Sequence, residues 1–210
     1  MEKKEIIALI LSVVIMTLII FFGSKTQTLP ALIRYLLLAI GIIGFVILAK
    51  KIVAYNLDVR IINKTWEFQR YGIAEHSKFN QAIPVGLIVP LLLSLFSAGI
   101  IKFLAFLQFD SYALPTKAVK KYGIVRLSGI LEWDDALIVF YSLMPLLALA
   151  IIAKFFSPIF FIEFAKYSWI YVFCNLLPIS QLDGTKLFFG SRPLFILTWI
   201  ITIVAWPIIF

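Results

Sequence analysis

Apolar residues fall in long unbroken runs, at 6–22, 31–49, 85–107, 136–156, 159–179 and 194–210, rather than alternating or forming a one-sided stripe. Roughly 20 apolar residues span the hydrocarbon of a bilayer, so each run predicts a transmembrane helix. Pro30 suits the first turn of the second helix, Ser157-Pro158 separates the fourth from the fifth, and Pro178 stops the fifth. The main polar interruption runs from Lys50 to Pro84. Within it Asp58 to Tyr71 partly alternates apolar with polar residues, which predicts a strand or hairpin lying at the membrane surface. Trp66, Phe68 and Tyr71 would suit the headgroup layer. Pro84, Gly86 and Pro90 near the start of the third run, and Gly99 before Lys102, predict a helix ending near Ala98. Residues 100–110 then form extended or re-entrant chain, which at membrane depth must be satisfied by protein or water.

These elements describe an all-α polytopic membrane protein of about six transmembrane helices with a short membrane-associated β-hairpin or re-entrant segment. Four units follow: an N-terminal helix pair (1–50), a polar interfacial segment (51–84), a core (85–193) and a C-terminal helix (194–210). Composition agrees, since 62% hydrophobic against 14% charged residues, with a mean hydropathy of +1.03, leaves too little polar surface for a soluble globule. The first run follows Lys3 and Lys4 but lacks a small-x-small cleavage pattern, so it reads as a retained helix. The net charge of +8 is scattered through the connections rather than gathered on one face. Anionic lipid headgroups, not nucleic acid, are therefore the expected counter-charge. Lys and Arg in alternate loops number nine against seven, which leaves orientation open. The single Cys174 reads as a small core residue. A multi-pass protein of the cell membrane, with the lipid bilayer as its first partner, is the expectation.

Candidate chemistry concentrates in Asn175-Leu176-Leu177-Pro178-Ile179-Ser180-Gln181-Leu182-Asp183-Gly184, which places one carboxylate at the end of a membrane helix. A charge at hydrocarbon depth costs about 2.5–3.5 kcal/mol on insertion scales and so calls for a partner, a watery cavity or a metal. The plain account is a turn in which Asp183 caps backbone left open at Pro178, Gly184 takes a positive φ, and Lys186 or Arg192 supplies the cation. Asp134 and Asp135 read as N-terminal caps of the 136–156 helix. Two carboxylates sharing a proton, Asp110 and Asp183, would be an aspartyl-protease arrangement, but no supporting motif accompanies them.

The ten residues from Asn175 to Gly184 resemble the second signature of the site-2 protease family, intramembrane zinc metalloproteases, whose pattern is N-x-x-P-x-x-x-L-D-G. The resemblance covers roughly residues 80 to 193. It implies a three-helix core in which Asp183 takes the place of the third zinc ligand and Asn175 lies beside the bound peptide. The helix expected to face Asp183 is 85–98, over Gly86 to Leu93. The family's H-E-x-x-H, which places two imidazoles on one helix face with a glutamate base, has no counterpart, because the chain has one histidine, His76. A substitute site from Glu75, His76 and Asp183 would have to fold back over the core.

The expectation is thus a catalytically inactive site-2-protease-like membrane protein that binds or regulates other membrane proteins through its transmembrane helices. It has no catalytic residue, metal ligand or cofactor, and Asn175, Pro178, Asp183 and Gly184 are a vestigial or binding site. A small transporter, channel or membrane-complex subunit, with Lys102, Asn175, Gln181 and Asp183 lining a path, is the alternative. An active protease with an atypical site is the third reading.

Overall fold

The computed structural model describes residues 3–24, 27–70, 78–113, 132–156 and 158–210. In chain order these form α1 (Lys3–Phe22), α2 (Leu29–Asn56), β1 (Val59–Thr65), β2 (Phe68–Arg70), β3 (Lys78–Ile83), α3 (Val85–Phe96), β4 (Leu107–Ala113), α4 (Glu132–Lys154), α5 (Ile159–Leu176), α6 (Asp183–Gly190) and α7 (Arg192–Ile209). Five of these helices, α1, α2, α4, α5 and α7, are long and apolar enough to cross a membrane. Their outward faces carry exposed apolar side chains, among them Ile7, Ile10, Leu48, Ile152, Ile203 and Val204, more apolar surface than a water-soluble monomer leaves open.

The sixth expected span is absent. α3 stops at Phe96, Ala98 and Gly99 turn the chain at φ of 50° and 77°, and residues 101–106 return without helix into β4. A side chain at position 99 would place its Cβ 2.5 Å from the Gly23 Cα, so this left-handed turn against the end of α1 requires glycine. The returning strand is satisfied by protein: the Trp66 amide donates to the Phe106 carbonyl (2.8 Å), the Asn175 side-chain amide to Leu104 (3.3 Å) and the Cys174 thiol to Lys102 (3.8 Å). That is the condition on which irregular backbone persists at membrane depth.

Two other boundaries differ from expectation. α2 continues through Lys50 and Lys51 to Asn56, because Lys50 shares the buried face of Val46 and Ala54 and Lys51 pairs with Glu5 of α1 at 2.9 Å. The polar segment is not one hairpin either. β1 pairs antiparallel with the distant β4, from Val59 opposite Ala113 to Thr65 opposite Leu107, while β2 pairs with β3. Nor is Trp66 an interfacial anchor: it is buried against Phe103, Ala105, Cys174 and Leu182. Tyr71 lies outside the described residues.

The helix bundle therefore has two unlike ends. At the sheet end Glu5 of α1 accepts from the Asn63 side chain of β1 (3.1 Å), Gly86 of α3 donates to the Trp66 carbonyl (2.8 Å), and Ser111 of β4 donates to Asp135 of α4 (3.0 Å). At the far end Arg34 of α2 meets Glu163 of α5 at 2.9 Å, and the Lys154 ammonium of α4 donates to the Ile209 carbonyl of α7 at 2.6 Å.

Candidate functional site

The turn after α5 delivers Asp183 to the sheet end of the bundle. α5 ends at Leu176, Ser180 takes φ 53°, and α6 begins at Asp183 with Leu182 as its N-cap. Gly184 is helical rather than left-handed, so the expected reason for glycine there is corrected. A Cβ at 184 would sit 2.2 Å from the Leu176 carbonyl oxygen. Glycine is needed because α6 lies directly on the last turn of α5. That close approach carries Asp183 into the interior, where it has no exposed surface.

Its partner comes from α2. The Lys50 Nζ lies 2.6 Å from Asp183 Oδ2, and the two side chains are 3% and 0% exposed. The expected facing helix, α3, does not supply the cation, and neither do Lys186 and Arg192. Lys186 instead donates to Asp135 (3.1 Å), to the same carboxylate oxygen that accepts from Ser111, and Arg192 lies over the Phe188 ring. Asp135 is thus an ion-pair partner beyond its place in the first turn of α4. Phe109 of β4, itself buried, lies between these two pairs in contact: Lys50 is 4.8 Å and Lys186 3.7 Å from its ring centroid. Cations over an aromatic face gain most where water is excluded.

Asn175, one turn from the end of α5, is fully buried and donates to the carbonyls of Tyr171 (2.8 Å) and Leu104 (3.3 Å). It ties the returning chain after α3 to α5. Its own Oδ1, and the Oδ1 of Asp183, are buried without a hydrogen-bond partner among the described residues. Pro178 lies in the turn between α5 and α6.

Two other arrangements considered from sequence, a carboxylate dyad and a polar path, are not assembled among the described residues. Asp110 pairs with Lys64 at 2.5 Å across the β1–β4 ladder, so it is committed elsewhere than to a carboxylate dyad with Asp183. This bond, with the accompanying charge attraction, holds the Lys64 ammonium above the ordinary lysine pKa. The Lys102 ammonium reaches Gly23 and the Tyr167 ring rather than joining Asn175, Gln181 and Asp183 in one path. Glu75 and His76 lie outside the described residues.

Zinc does not fit the centre around Asp183. An ammonium has no lone pair to donate, it holds the carboxylate oxygen a metal would take, and among the described residues no three His, Cys, Asp or Glu side chains converge. On the Lys186–Asp135 side of Phe109, a cavity of about 350 Å³ is bounded by Phe109 and Asp110, Glu132 and Asp135, and Ser180, Gln181, Thr185, Lys186 and Phe189. The Asp183 turn forms one of its walls, and Gln181 is exposed there. The chain matches no known family model, no curated protein and no solved structure.

Motif reading passes over Lys50 and Phe109 of this centre and takes Asp135 only as a helix cap. A signal for Lys50 existed: Val46, Lys50 and Ala54 follow the four-residue spacing of one helix face.

Proposed function

We propose that this chain is a membrane-embedded, catalytically inactive relative of the site-2 proteases, in which an internal ion pair stands where the active family binds its metal, and which binds or regulates other membrane proteins. The observation that carries the reading is the buried Lys50–Asp183 pair at 2.6 Å, with Asn175 eight residues before the carboxylate on the same helix-turn unit. If Asp183 is the counterpart of the family's third ligand, the helix that meets it is the counterpart of the ligand helix, and that helix is α2. An H-E-x-x-H spacing through position 50 places the second imidazole at 46 or at 54. Those positions hold Val46 and Ala54, both buried and apolar, so neither phase of the motif leaves two ligands.

The replacement has a physical logic. A carboxylate left behind in a dry core after loss of a divalent cation needs a new positive charge, and a lysine stem extending from the same helix face supplies it. The centre then holds the α2, α5 and α6 elements in place without chemistry. Gln181 and Phe189, both exposed on the wall of the adjoining cavity, are where a partner's segment would dock.

Restoring the ligands tests the relationship. The double variants Val46→His/Lys50→His and Lys50→His/Ala54→His represent the two phases of the motif, and one of them is expected to copurify with about one zinc per chain, lost again on Asp183→Asn. No zinc in either folded variant sinks the ligand-helix assignment. For partner binding, a photocrosslinker at Gln181 is expected to give protein adducts in native membranes, whereas one at the exposed Trp206 gives lipid adducts only. Equal protein labelling at both positions would discard the cavity as the docking place.

A further inference from the structure

The cavity beside Phe109 differs in charge from the chain that builds it. The chain carries a net +8, yet the charged side chains lining the cavity are Asp110, Glu132 and Asp135 against Lys186. Asp135 holds Lys186 at 3.1 Å, and Asp110 is paired with Lys64 on the neighbouring strand. Glu132 is exposed and forms no salt bridge among the described residues. The cavity therefore keeps one carboxylate beyond those that Lys186 and Lys64 neutralise. The α4 dipole does not account for it, since Asp134 and Asp135 already stand in the same first turn.

The walls indicate what kind of cation would fit. Phe109 lies at the inner side, and Phe189, 68% exposed, stands on the wall contributed by α6. A Cβ at Gly190 would sit 2.2 Å from the Glu132 carbonyl oxygen, so the end of α6 rests directly on the start of α4 and brings the Phe189 ring and the Glu132 carboxylate to the same cavity. A metal ion has no use for aromatic walls, and no three ligating side chains converge among the described residues. The stem of a lysine or arginine does use such walls: it lies along apolar surface while its head reaches a carboxylate, and a cation over an aromatic face is attracted to it. About 350 Å³ admits a long side chain but not a helix, which is about 10 Å across with its side chains. Membrane helices carry Lys and Arg just beyond their cytoplasmic ends, and the cavity lies at the sheet end of the bundle, where α4 begins.

Resting on the docking role given above to this cavity, we propose that it receives a basic side chain from the segment just beyond a partner's transmembrane helix, with Glu132 as the carboxylate that meets it and Phe109 and Phe189 against its stem.

The test uses the full chain in zwitterionic detergent micelles and dye-labelled single-span Leu-Ala peptides that differ only in carrying Arg, Gln or Glu at one end, with binding read by fluorescence anisotropy. A partly exposed ion pair is worth up to about 1 kcal/mol, so the Arg-ended peptide should bind about fivefold more tightly than the Gln-ended one. Glu132→Gln should erase that preference, and Glu132→Lys should transfer it to the Glu-ended peptide. Glu67→Gln, which removes an exposed carboxylate at the sheet end outside the cavity, should leave it unchanged. Failure of the Arg-ended peptide to bind, equal affinity for the Arg-ended and Gln-ended peptides, or a preference unmoved by Glu132→Gln would each overturn the proposal. Protein adducts from the crosslinker at Gln181 would in that case still uphold docking at the cavity, whereas their absence beside an intact peptide preference would remove the docking role and leave the basic-ligand site.

Discussion

Separating the charges of the Lys50–Asp183 pair should be among the most destabilising single changes in this chain. At 2.6 Å the attraction is about 6 kcal/mol for an effective dielectric of about 20. Against it stands a desolvation cost of several kcal/mol per ion, so the intact pair is close to neutral relative to a well-packed apolar replacement. Removing one partner keeps the cost and loses the gain. Lys50→Met preserves the stem and leaves the carboxylate alone, and Asp183→Asn preserves the shape and leaves the ammonium alone. Each is expected to cost about 3–5 kcal/mol, which for a chain of this size corresponds to a fall of about 6–20 °C in Tm.

The double variant Lys50→Met/Asp183→Asn should recover most of the loss, giving a coupling energy of more than about 2 kcal/mol in the double-mutant cycle. The assay is thermal or denaturant unfolding of the purified protein in detergent, followed by tryptophan fluorescence. Since the pair is out of water, the coupling should persist at high salt, unlike that of a surface pair. Single losses below about 1 kcal/mol, additive losses in the double variant, or a coupling halved by molar salt would show that water reaches the centre and would refute the reasoning.

Glycine positions give a second set of expected outcomes: Gly184→Ala and Gly86→Ala should each cost about 1–3 kcal/mol by forcing backbone apart, since their Cβ atoms would meet the Leu176 and Phe106 carbonyl oxygens at 2.2 and 2.4 Å. Gly44→Ala, with nothing within 4 Å, should be neutral or add up to about 1 kcal/mol through helix propensity, and the same unfolding assay ranks all three. The Lys64–Asp110 pair should make a small, pH-dependent contribution. Because Asp110 raises the folded-state pKa of Lys64, the stabilisation is complete below the unfolded lysine value near 10.4 and disappears as pH rises through the folded value. With the side chains 44% and 37% exposed, solvent screens the effect, and Lys64→Met should remove that pH dependence from the stability curve while costing less than about 1 kcal/mol. Orientation is also open to measurement: among the described residues ten Lys and Arg lie at the sheet end and four at the far end, so the sheet end should face the cytoplasm. A membrane-impermeant thiol reagent added to intact cells should then label Phe210→Cys and spare Gln181→Cys, and the reverse labelling refutes the assignment.

How much of this was legible in the sequence depends on whether a feature is set by local pattern or by a distant partner. Five apolar helices, the stop at Pro178, the break at Gly99 and the strand character of 59–65 all follow from residues close in sequence. The failures share one cause. Lys50 looks like the first residue of a polar loop because charge normally marks the end of a membrane helix, and only Asp183, 133 positions later, makes it an interior residue. Trp66 looks interfacial for the same reason, since its burial depends on chain returning from α3 and on α5. The even distribution of Lys and Arg over alternate loops was likewise a product of the false span at 85–107, and replacing that span by a helix that enters and turns back moves Arg60, Lys64, Arg70 and Lys78 to the same end as Lys186 and Arg192. A motif can announce the carboxylate at 183, but whether that carboxylate meets a metal, water or an ammonium is decided by which face of α2 is laid against it.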